Sequence, residues 1–401
     1  MSNSTNISLD CSEIVDAIHP DNSNNDQLPI EVLRAKIDCQ VDAFTRSLLP
    51  FIGLVQGLLN YGTTIIVCLG LFFNTVSFIV LTRKKMRRSS ANMFLSILAV
   101  YDTLSLTLNF MIGVIRGQNL SANQSFMDNQ SLCKLHGVFV VVFNLLSVWT
   151  IVTFTIVRFL IVKFPLKAKN FTQMRTLIII VSTSLVVVVF SCHKIFITGF
   201  EGDSVFGYKG CQTDRARIPD IGKFYVAFNT WLPTVLVVIF NLAIVREIKI
   251  HTARRQTMTT STSRSDEKAT RLLLTVSFAY LVLVSPLGII QTIELFWNEN
   301  VQATPLTSPH YADNMIVKIN LKWIRAFCFF FYQINFAINF FLYAFSSSGT
   351  MFQNTLRQLM GFKKKETSDI TQRTVTTTVS SNAVMPLPQP EAEERNATEG
   401  Q

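Results

Sequence analysis

The stretch CKLHGVFVVVFNLLSVWTIVTFTIVRFLIVKFP occupies residues 133–165. Between Lys134 and Arg158 it contains one histidine, His136, and no formal charge. As a helix rising about 1.5 Å per residue, the stretch would be roughly 45 Å long, enough to cross a bilayer at a steep tilt. We therefore predict a transmembrane helix that begins at a cysteine and ends near an arginine.

The composition of the whole chain agrees with a membrane protein. Of the 401 residues, 49% are hydrophobic and 15% charged, and the mean hydropathy is +0.34. The formal charge of +10 comes from short basic clusters between apolar segments, which membrane topology explains without a nucleic-acid partner. No catalytic triad, metal-ligand cluster or phosphate loop is visible, so we expect neither an enzyme nor a metal or cofactor site.

Seven apolar segments are each long enough to span a bilayer. Because backbone polar groups in lipid must be satisfied internally, we predict an all-α membrane protein with a seven-helix bundle at residues 51–346. The predicted spans cover residues 54–81, 92–115, 134–162, 172–197, 223–245, 270–296 and 316–345.

Basic residues set the expected orientation of the bundle. They follow the first, third, fifth and seventh spans, which predicts an extracellular N-terminus and a cytoplasmic C-terminus in a multi-pass plasma-membrane protein. Residues 1–50 carry eight acids and no apolar signal sequence, so we expect a disordered extracellular tail and a first span that acts as signal anchor. The predicted glycosylation sites are Asn3, Asn6, Asn119, Asn123 and Asn129.

After the seventh span, residues 347–362 place apolar side chains on one helical face. We predict a short amphipathic helix on the inner leaflet, in contact with membrane lipid, although a frayed end of the last span is the alternative. Residues 363–401 are polar and are expected to form a disordered cytoplasmic tail.

Polar residues within predicted spans are expensive in lipid and are therefore functional candidates. One or two occur in each of four spans, and we expect them to meet in the core of the bundle. They are Asn74, Asp102, Ser147, Asn335 and Asn339. Two interpretations stay open, a hydrogen-bonded packing network or a site where a carboxylate, hydroxyl and amide oxygens hold a sodium ion.

These features together resemble the rhodopsin-like (class A) G-protein-coupled receptors. The segments ANMFLSILAVYDTL, RFLIVKFPLKAK, SPLGII and AINFFLY are similar to invertebrate neuropeptide receptors of the FMRFamide, myosuppressin and thyrotropin-releasing-hormone receptor group. The resemblance covers all seven spans, roughly residues 54–360. It implies a receptor that signals through a heterotrimeric G protein, and it places the polar core at the family's water and sodium site.

The resemblance also assigns roles to residues near the cytoplasmic end. Arg158 matches the arginine that meets the G protein, but Val157 replaces the neighbouring acid, which leaves Asp266 or Glu267 as candidate partners for Arg158. Phe340 replaces the proline of the family's Asn-Pro-x-x-Tyr motif. The positions implied in activation and coupling are Arg158, Pro233, Asn241, Asp266, Glu267, Pro286 and Tyr343.

A disulfide bond between Cys133 and Cys211 is likewise implied by the resemblance. Cys11 and Cys39 are the other cysteines expected outside the cell, where the environment is oxidising. They either pair with each other or remain free thiols.

Two ligand classes lack their anchoring residue in this sequence. Val140 stands where monoamine receptors have an aspartate, and Gln333 stands where opsins have the lysine that binds retinal. A peptide is the expected ligand, because polar groups of both signs lie near the outer mouth, although several could simply mark helix ends at the headgroups. These residues are Arg116, His136, Glu294, Lys322, Arg325 and Gln333. A chemosensory receptor for a small soluble ligand is the alternative on the same fold, and a transporter or channel is the alternative outside it.

The cytoplasmic tail contains a strip rich in serine and threonine. Phosphorylation there would add several negative charges that suit basic clusters on a partner, as arrestins provide for the family. We therefore expect a receptor kinase and an arrestin as partners, with an ordinary polar linker as the alternative. The candidate phosphorylation sites are Thr374, Thr376, Thr377, Thr378, Ser380 and Ser381.

Overall fold

A computed structural model describes most of the chain. The described residues are 30–84, 86–87, 89–164, 172–192, 198–202, 209–213, 219–256, 264–301, 305, 307–308, 310–345 and 350–361. The predicted sites at Asn3 and Asn6 and all six candidate phosphorylation sites lie outside them. Two compact units divide the chain, Met1–Leu356 and Arg357–Gln401.

Ten helices and one hairpin are described. Helix α1 is Ile30–Leu81, with a wider π turn at Leu58–Gly62. Helix α2 covers 90–118, with a π turn at Leu106–Met111, and is followed by α3 (Leu120–Asp128), α4 (Gln130–Lys163) and α5 (Gln173–Ser191). Strands β1 (Thr198–Gly202) and β2 (Lys209–Thr213) precede α6, which covers 219–256 with a π turn at Ala227–Trp231. The remaining helices are α7 (Arg264–Val301), α8 (Tyr311–Ile334), α9 (Asn339–Phe345) and α10 (Thr350–Leu359).

Six of these helices are long and apolar enough to cross a membrane, and the pair α8 and α9 forms a seventh span bent by 48°. The prediction of a seven-helix membrane bundle is therefore confirmed. The prediction contained no strand, but β1 and β2 pair antiparallel, with Phe200 opposite Cys211. A helix is present within the predicted range 347–362, at Thr350–Leu359.

Helix α4 lies at the centre of the bundle. It contacts α2, α5, α6, α7 and both strands. In the most apolar 18-residue stretch of α4, 72% of the residues are buried, whereas the corresponding stretches of the other five continuous spans are 22% to 39% buried. The apolar run that decides the fold in the sequence is thus the helix around which the others pack.

Helix α1 differs from the prediction. We expected a disordered tail up to residue 50, but α1 begins at Ile30. Its first half contacts α8, and the rings of Phe51 and Phe327 lie 5.8 Å apart. Val32 and Cys39 are buried, so this part of α1 owes its order to packing that the high content of acids and amides does not reveal.

Gly70 permits a close approach of three segments. A β-carbon at this position would lie 2.5 Å from Leu106 Cδ1 and 3.0 Å from the β-carbon of Ala337. Glycine therefore lets α1 pack directly against the π turn of α2 and the segment between α8 and α9. Asn74 lies one helical turn further along α1 and is placed by the same contact.

The Gly70→Val variant should be destabilised by about 1–3 kcal/mol, because the added side chain overpacks this junction. We expect its thermal unfolding midpoint in detergent to fall by several degrees. Gly53→Val is the matched control on the same helix, since a β-carbon at Gly53 meets nothing within 4 Å. Equal midpoints for the two variants would show that the close approach is absent.

Candidate functional site

The centre of the bundle contains a buried carboxylate with two side-chain donors. Asp102 on α2 has no exposed surface. Its Oδ1 accepts a hydrogen bond of 2.6 Å from Ser147 Oγ on α4, and its Oδ2 accepts one of 2.5 Å from Asn339 Nδ2 on α9. Three of the five predicted polar-core residues thus meet in one network that joins three spans.

Asn74 bonds to the backbone of the break between α8 and α9. Its Nδ2 donates a 2.8 Å hydrogen bond to the carbonyl oxygen of Phe336, which lies in the break between α8 and α9. Asn335, the remaining predicted residue, is buried in the same break. The amide of Asn74 satisfies a carbonyl group that a continuous helix would have paired with its own backbone.

This break exists without the proline that the resemblance expects. In a continuous helix the carbonyl of Phe336 would pair with the N–H of Phe340. Here Asn74 takes the carbonyl, and the N–H of Phe340 donates to no backbone carbonyl among the described residues. The ring of Phe340 stacks on Phe73 of α1 at 4.7 Å and meets Phe352 of α10 edge-on at 5.8 Å. The bend is therefore stabilised by aromatic packing and by the hydrogen bond from Asn74, without the proline that the resemblance expects.

Three further polar side chains are buried in the same spans, and the sequence analysis did not select them. Ser77, Ser105 and Asn144 are buried, and an oxygen of each has no hydrogen-bond partner among the described residues. Each lies three residues from a selected residue, namely Asn74, Asp102 and Ser147. The helical spacing i, i+3 would have identified them. Asn74 Oδ1 is likewise without a partner in the described part of the chain.

These oxygens determine what the site can do chemically. Buried carbonyl and hydroxyl oxygens without a partner in the described part of the chain suit a monovalent cation or ordered water, either of which would satisfy their lone pairs. Among the described residues no group of three or more His, Cys, Asp or Glu side chains could hold a metal ion. Oxygen donors of this kind suit a hard cation, and the sodium site stays a prediction.

At the far end of α4, Arg158 is buried and does not extend to the surface. Its guanidinium carbon lies 5.4 Å from the centre of the Phe154 ring, and Val157 is also buried. Tyr343 belongs to the same apolar cluster as Phe154 and Val157, and its hydroxyl has no partner among the described residues. The side chains of Asp266 and Glu267, near the start of α7, lie outside the described part, so their pairing with Arg158 stays a prediction.

The two proline positions behave differently in the structure. Pro233 follows directly after the π turn Ala227–Trp231 and its C-cap Leu232, and the wider turn accommodates a residue that lacks an N–H group. Pro286 lies inside the helix α7. Asn241 lies on α6, and its Oδ1 is buried without a partner in the described part of the chain.

At the Cys133 end of the bundle, the structure brings together two of the six predicted pocket residues. Arg325 Nη1 and Glu294 Oε2 lie 2.9 Å apart and join α8 to α7. Gln333 is buried and its Oε1 has no partner among the described residues. His136 is half-buried on α4 and Lys322 is exposed on α8, while the side chain of Arg116 lies outside the described part.

The described cysteines fall into two groups. Cys39 and Cys133 are each disulfide-bonded, whereas the thiols of Cys68, Cys192 and Cys328 are free. The alternative of a free thiol at Cys39 is therefore wrong. Cys11 and the side chain of Cys211 lie outside the described part, so both pairings stay predictions.

The three described glycosylation candidates lie within the short helix α3 or directly next to it. Asn119 caps α3 by accepting from the N–H of Ala122, and Asn129 caps α4 by accepting from the N–H of Leu132, each at 3.1 Å. Both capping residues are exposed. Asn123 lies within α3 itself and is half-buried. A glycan is attached at Nδ2, so modification of either capping residue would leave its Oδ1 contact in place.

The Phe340→Pro variant should lose no more stability than Phe340→Ala, because both remove the ring and the N–H of Phe340 is not used in a helix. The lost ring contacts are worth about 0.5–1.5 kcal/mol per pair. Thermal midpoints of the purified variants in detergent provide the measurement. Phe329→Pro, in the interior of α8, is the contrasting control and should cost roughly 3 kcal/mol or more. A Phe340→Pro protein as unstable as Phe329→Pro would show that the break is not as described.

Comparisons with known proteins agree with the arrangement. Residues 60–363 match the family model described as serpentine type 7TM GPCR chemoreceptor Srw. A GQ-coupled rhodopsin of Mizuhopecten yessoensis is 25% identical over 264 residues, which are 61% of this chain and 51% of the relative. The FMRFamide peptide receptor frpr-18 of Caenorhabditis elegans is 29% identical over 184 residues, 44% of this chain and 41% of the relative. The chain thus spans about half the length of the relatives it matches.

Proposed function

The chain belongs to the serpentine seven-transmembrane G-protein-coupled receptor family Srw, and on this premise we propose that it is a plasma-membrane receptor for an extracellular peptide that signals through a heterotrimeric G protein. The observation that carries the proposal is the buried link between α2, α4 and α9 through Asp102. A carboxylate shared by three spans makes their relative positions depend on one network, as a receptor that transmits a signal across a membrane requires.

A peptide ligand is supported by the chemistry of the Cys133 end. A carboxylate and a guanidinium, Glu294 and Arg325, face each other there, and a peptide offers charged groups and backbone amides to both. One relative is named as an FMRFamide peptide receptor. The other is named as a rhodopsin, but Gln333 stands at the position of the retinal-binding lysine, and an amide cannot form a Schiff base. For a ligand to reach it, the Cys133 end must face the cell exterior, and the predicted topology places the N-terminus on that side as well.

A receptor for a small soluble chemical is the second candidate. The matching family is described as a chemoreceptor family, and this description favours the second candidate. Such a ligand would be expected to reach the buried amides of Gln333 and Asn144, whereas a peptide would first contact the Glu294–Arg325 pair. The two candidates are therefore distinguished by the class of compound that activates the receptor.

Coupling to the G protein is assigned to the Arg158 end. The Arg158 guanidinium is buried against Phe154, which belongs to the same apolar cluster as Tyr343. An outward movement of neighbouring helices would expose the guanidinium to a partner. Asp266 or Glu267 would hold Arg158 in the resting state. Receptor kinase and arrestin would act on the tail, which lies outside the described residues.

The function is tested by a library of synthetic amidated peptides applied to cells that express the receptor. We expect at least one peptide to raise calcium or change cAMP, because the outer residues suit a charged, extended ligand. In Arg158→Gln cells the signal should disappear while binding of a labelled active peptide persists. Activation by small metabolites, and by no peptide, would favour the chemosensory candidate.

A sodium ion is proposed as a partner of Asp102. The buried oxygens of Asn74, Ser105 and Asn144 have no partner among the described residues, and in this proposal they replace part of the hydration shell of the ion. The ion would neutralise a carboxylate whose two donors are both neutral.

In the Asp102→Asn variant, surface expression should be retained, because the asparagine oxygen still accepts from Ser147. Any effect of sodium on agonist affinity should be lost. Competition binding in sodium chloride and in choline chloride at equal ionic strength measures this. Thr103→Ala is the control, since the Thr103 hydroxyl donates to the Ala99 carbonyl of its own helix. Sodium dependence that survives in Asp102→Asn would place the ion elsewhere.

A further inference from the structure

The ion pair between Glu294 and Arg325 lies on the inward faces of two helices. Glu294 is seven residues after the buried Leu287 on α7, and seven residues are close to two helical turns. Arg325 is four residues after Leu321 and seven before Tyr332 on α8, both of which are buried. The pair therefore points into the bundle from α7 and α8, and does not point out toward lipid.

The two partners differ in how far they are exposed. The side chain of Glu294 is 15% exposed, whereas that of Arg325 is 36% exposed. Arginine is long and flexible and can move its guanidinium into water while its stem stays packed. The carboxylate of Glu294 is shorter and more enclosed. Arg325 is thus the partner that can leave.

The departure of Arg325 has an electrostatic consequence. A mostly buried carboxylate left without a cation is strongly destabilised. A ligand that attracted only Arg325, through an anionic group, would produce this state. A ligand that brought a cation to Glu294 would avoid it, because the charge of the carboxylate would remain compensated while Arg325 moved into solvent.

We propose that the ligand carries a cationic side chain that replaces Arg325 as the partner of Glu294. This inference rests on the proposed peptide-receptor function and specifies the chemistry of the ligand. Glu294 becomes the residue that selects for the cation, and Arg325 becomes a resident competitor that occupies the site in its absence. A guanidinium is the best match, since it repeats the geometry that Arg325 already uses.

The surroundings agree with an exchange of cations. The other basic residues on the first half of α8, Lys318 and Lys322, are exposed. The side chain of Arg325, once released from Glu294, can likewise extend into solvent. The exchange itself requires no proton transfer. The ligand cation and Arg325 simply compete for one carboxylate.

The test uses the amidated tetrapeptide Phe-Met-Arg-Phe-NH2 and every peptide found active in the library, each with arginine replaced by neutral citrulline. On the wild-type receptor, citrulline should raise the half-maximal concentration by roughly 5- to 30-fold, because the citrulline form leaves Arg325 paired with Glu294 and loses only the net gain of the exchange, about 1–2 kcal/mol. Glu294→Gln should cause the same loss for the arginine peptide. In that variant the arginine and citrulline forms should be about equally potent, because the interaction is already absent.

Three further variants decide between competition and direct contact. Arg325→Gln should keep or improve the potency of the arginine peptide, because the competitor is gone. The charge exchange Glu294→Arg with Arg325→Glu keeps an ion pair and should respond to Phe-Met-Glu-Phe-NH2 in preference to the arginine form. Lys318→Gln removes a positive charge from the same helix and should behave like the wild type at equal surface expression.

Each other outcome overturns a defined part of the account. Equal losses in Arg325→Gln and Glu294→Gln would show that the ligand binds Arg325 directly, which contradicts the exchange. Active peptides that all lack a cation, or whose citrulline forms are equally potent, overturn the exchange and leave the peptide-receptor function intact. If no peptide activates the wild-type receptor, the proposed function fails and this inference fails with it.

Discussion

The hydrogen bonds that Asp102 accepts from Ser147 and Asn339 constrain the rest of the bundle. A carboxylate with no exposed surface is costly in a membrane protein unless donors surround it. Both donors come from other spans, so α2, α4 and α9 must keep one relative arrangement for the charge to stay satisfied. Any signal that moves one of these helices therefore changes the environment of the same carboxylate.

The break between α8 and α9 follows from this constraint. Asn339 can reach Asp102 because the chain bends by 48° before it. Asn74 stabilises the bend by taking the carbonyl of Phe336, and Gly70 allows α1 to come close enough for this contact. The bend thus depends on side chains from α1 and α2, and not on a proline. A structure of this kind can be altered by movement of neighbouring helices, which suits a switch.

The two ends of the receptor are joined through this centre. Tyr343 follows Asn339 by one helical turn and lies in the apolar cluster at the Arg158 end. In the other direction, α8 carries Arg325 and its partner Glu294 on α7. A ligand cation that releases Arg325 from Glu294 would change the contact between α7 and α8. Through the bend, that change would reach Asn339 and Tyr343.

Much of the fold could be predicted because lipid permits few solutions. Long apolar runs must be helices, and basic clusters set their direction. The polar residues Asn74, Asp102, Ser147 and Asn339 stood out for the same reason, since each is expensive within a span. Their pairwise partners were not predictable, because sequence spacing relates residues within one helix but not between helices.

Other features depend on contacts that leave no local pattern. The order of α1 from Ile30 comes from packing against α8, which the sequence of this polar segment does not indicate. Asn144 lies within the predicted span 134–162, three residues before Ser147, so the criterion that selected Ser147 applies to it equally. The Glu294–Arg325 pair joins two helices whose charged residues were predicted only as members of a common mouth.

The most direct test of the central claim is a double-mutant cycle on the donors of Asp102. Thermal unfolding in detergent would be measured for the wild type, Ser147→Ala, Asn339→Ala and the double variant. Because both donors serve one carboxylate, the account predicts a coupling free energy of about 0.5–3 kcal/mol between the two changes. Additive effects within measurement error would contradict the account, since they would mean that Ser147 and Asn339 act independently.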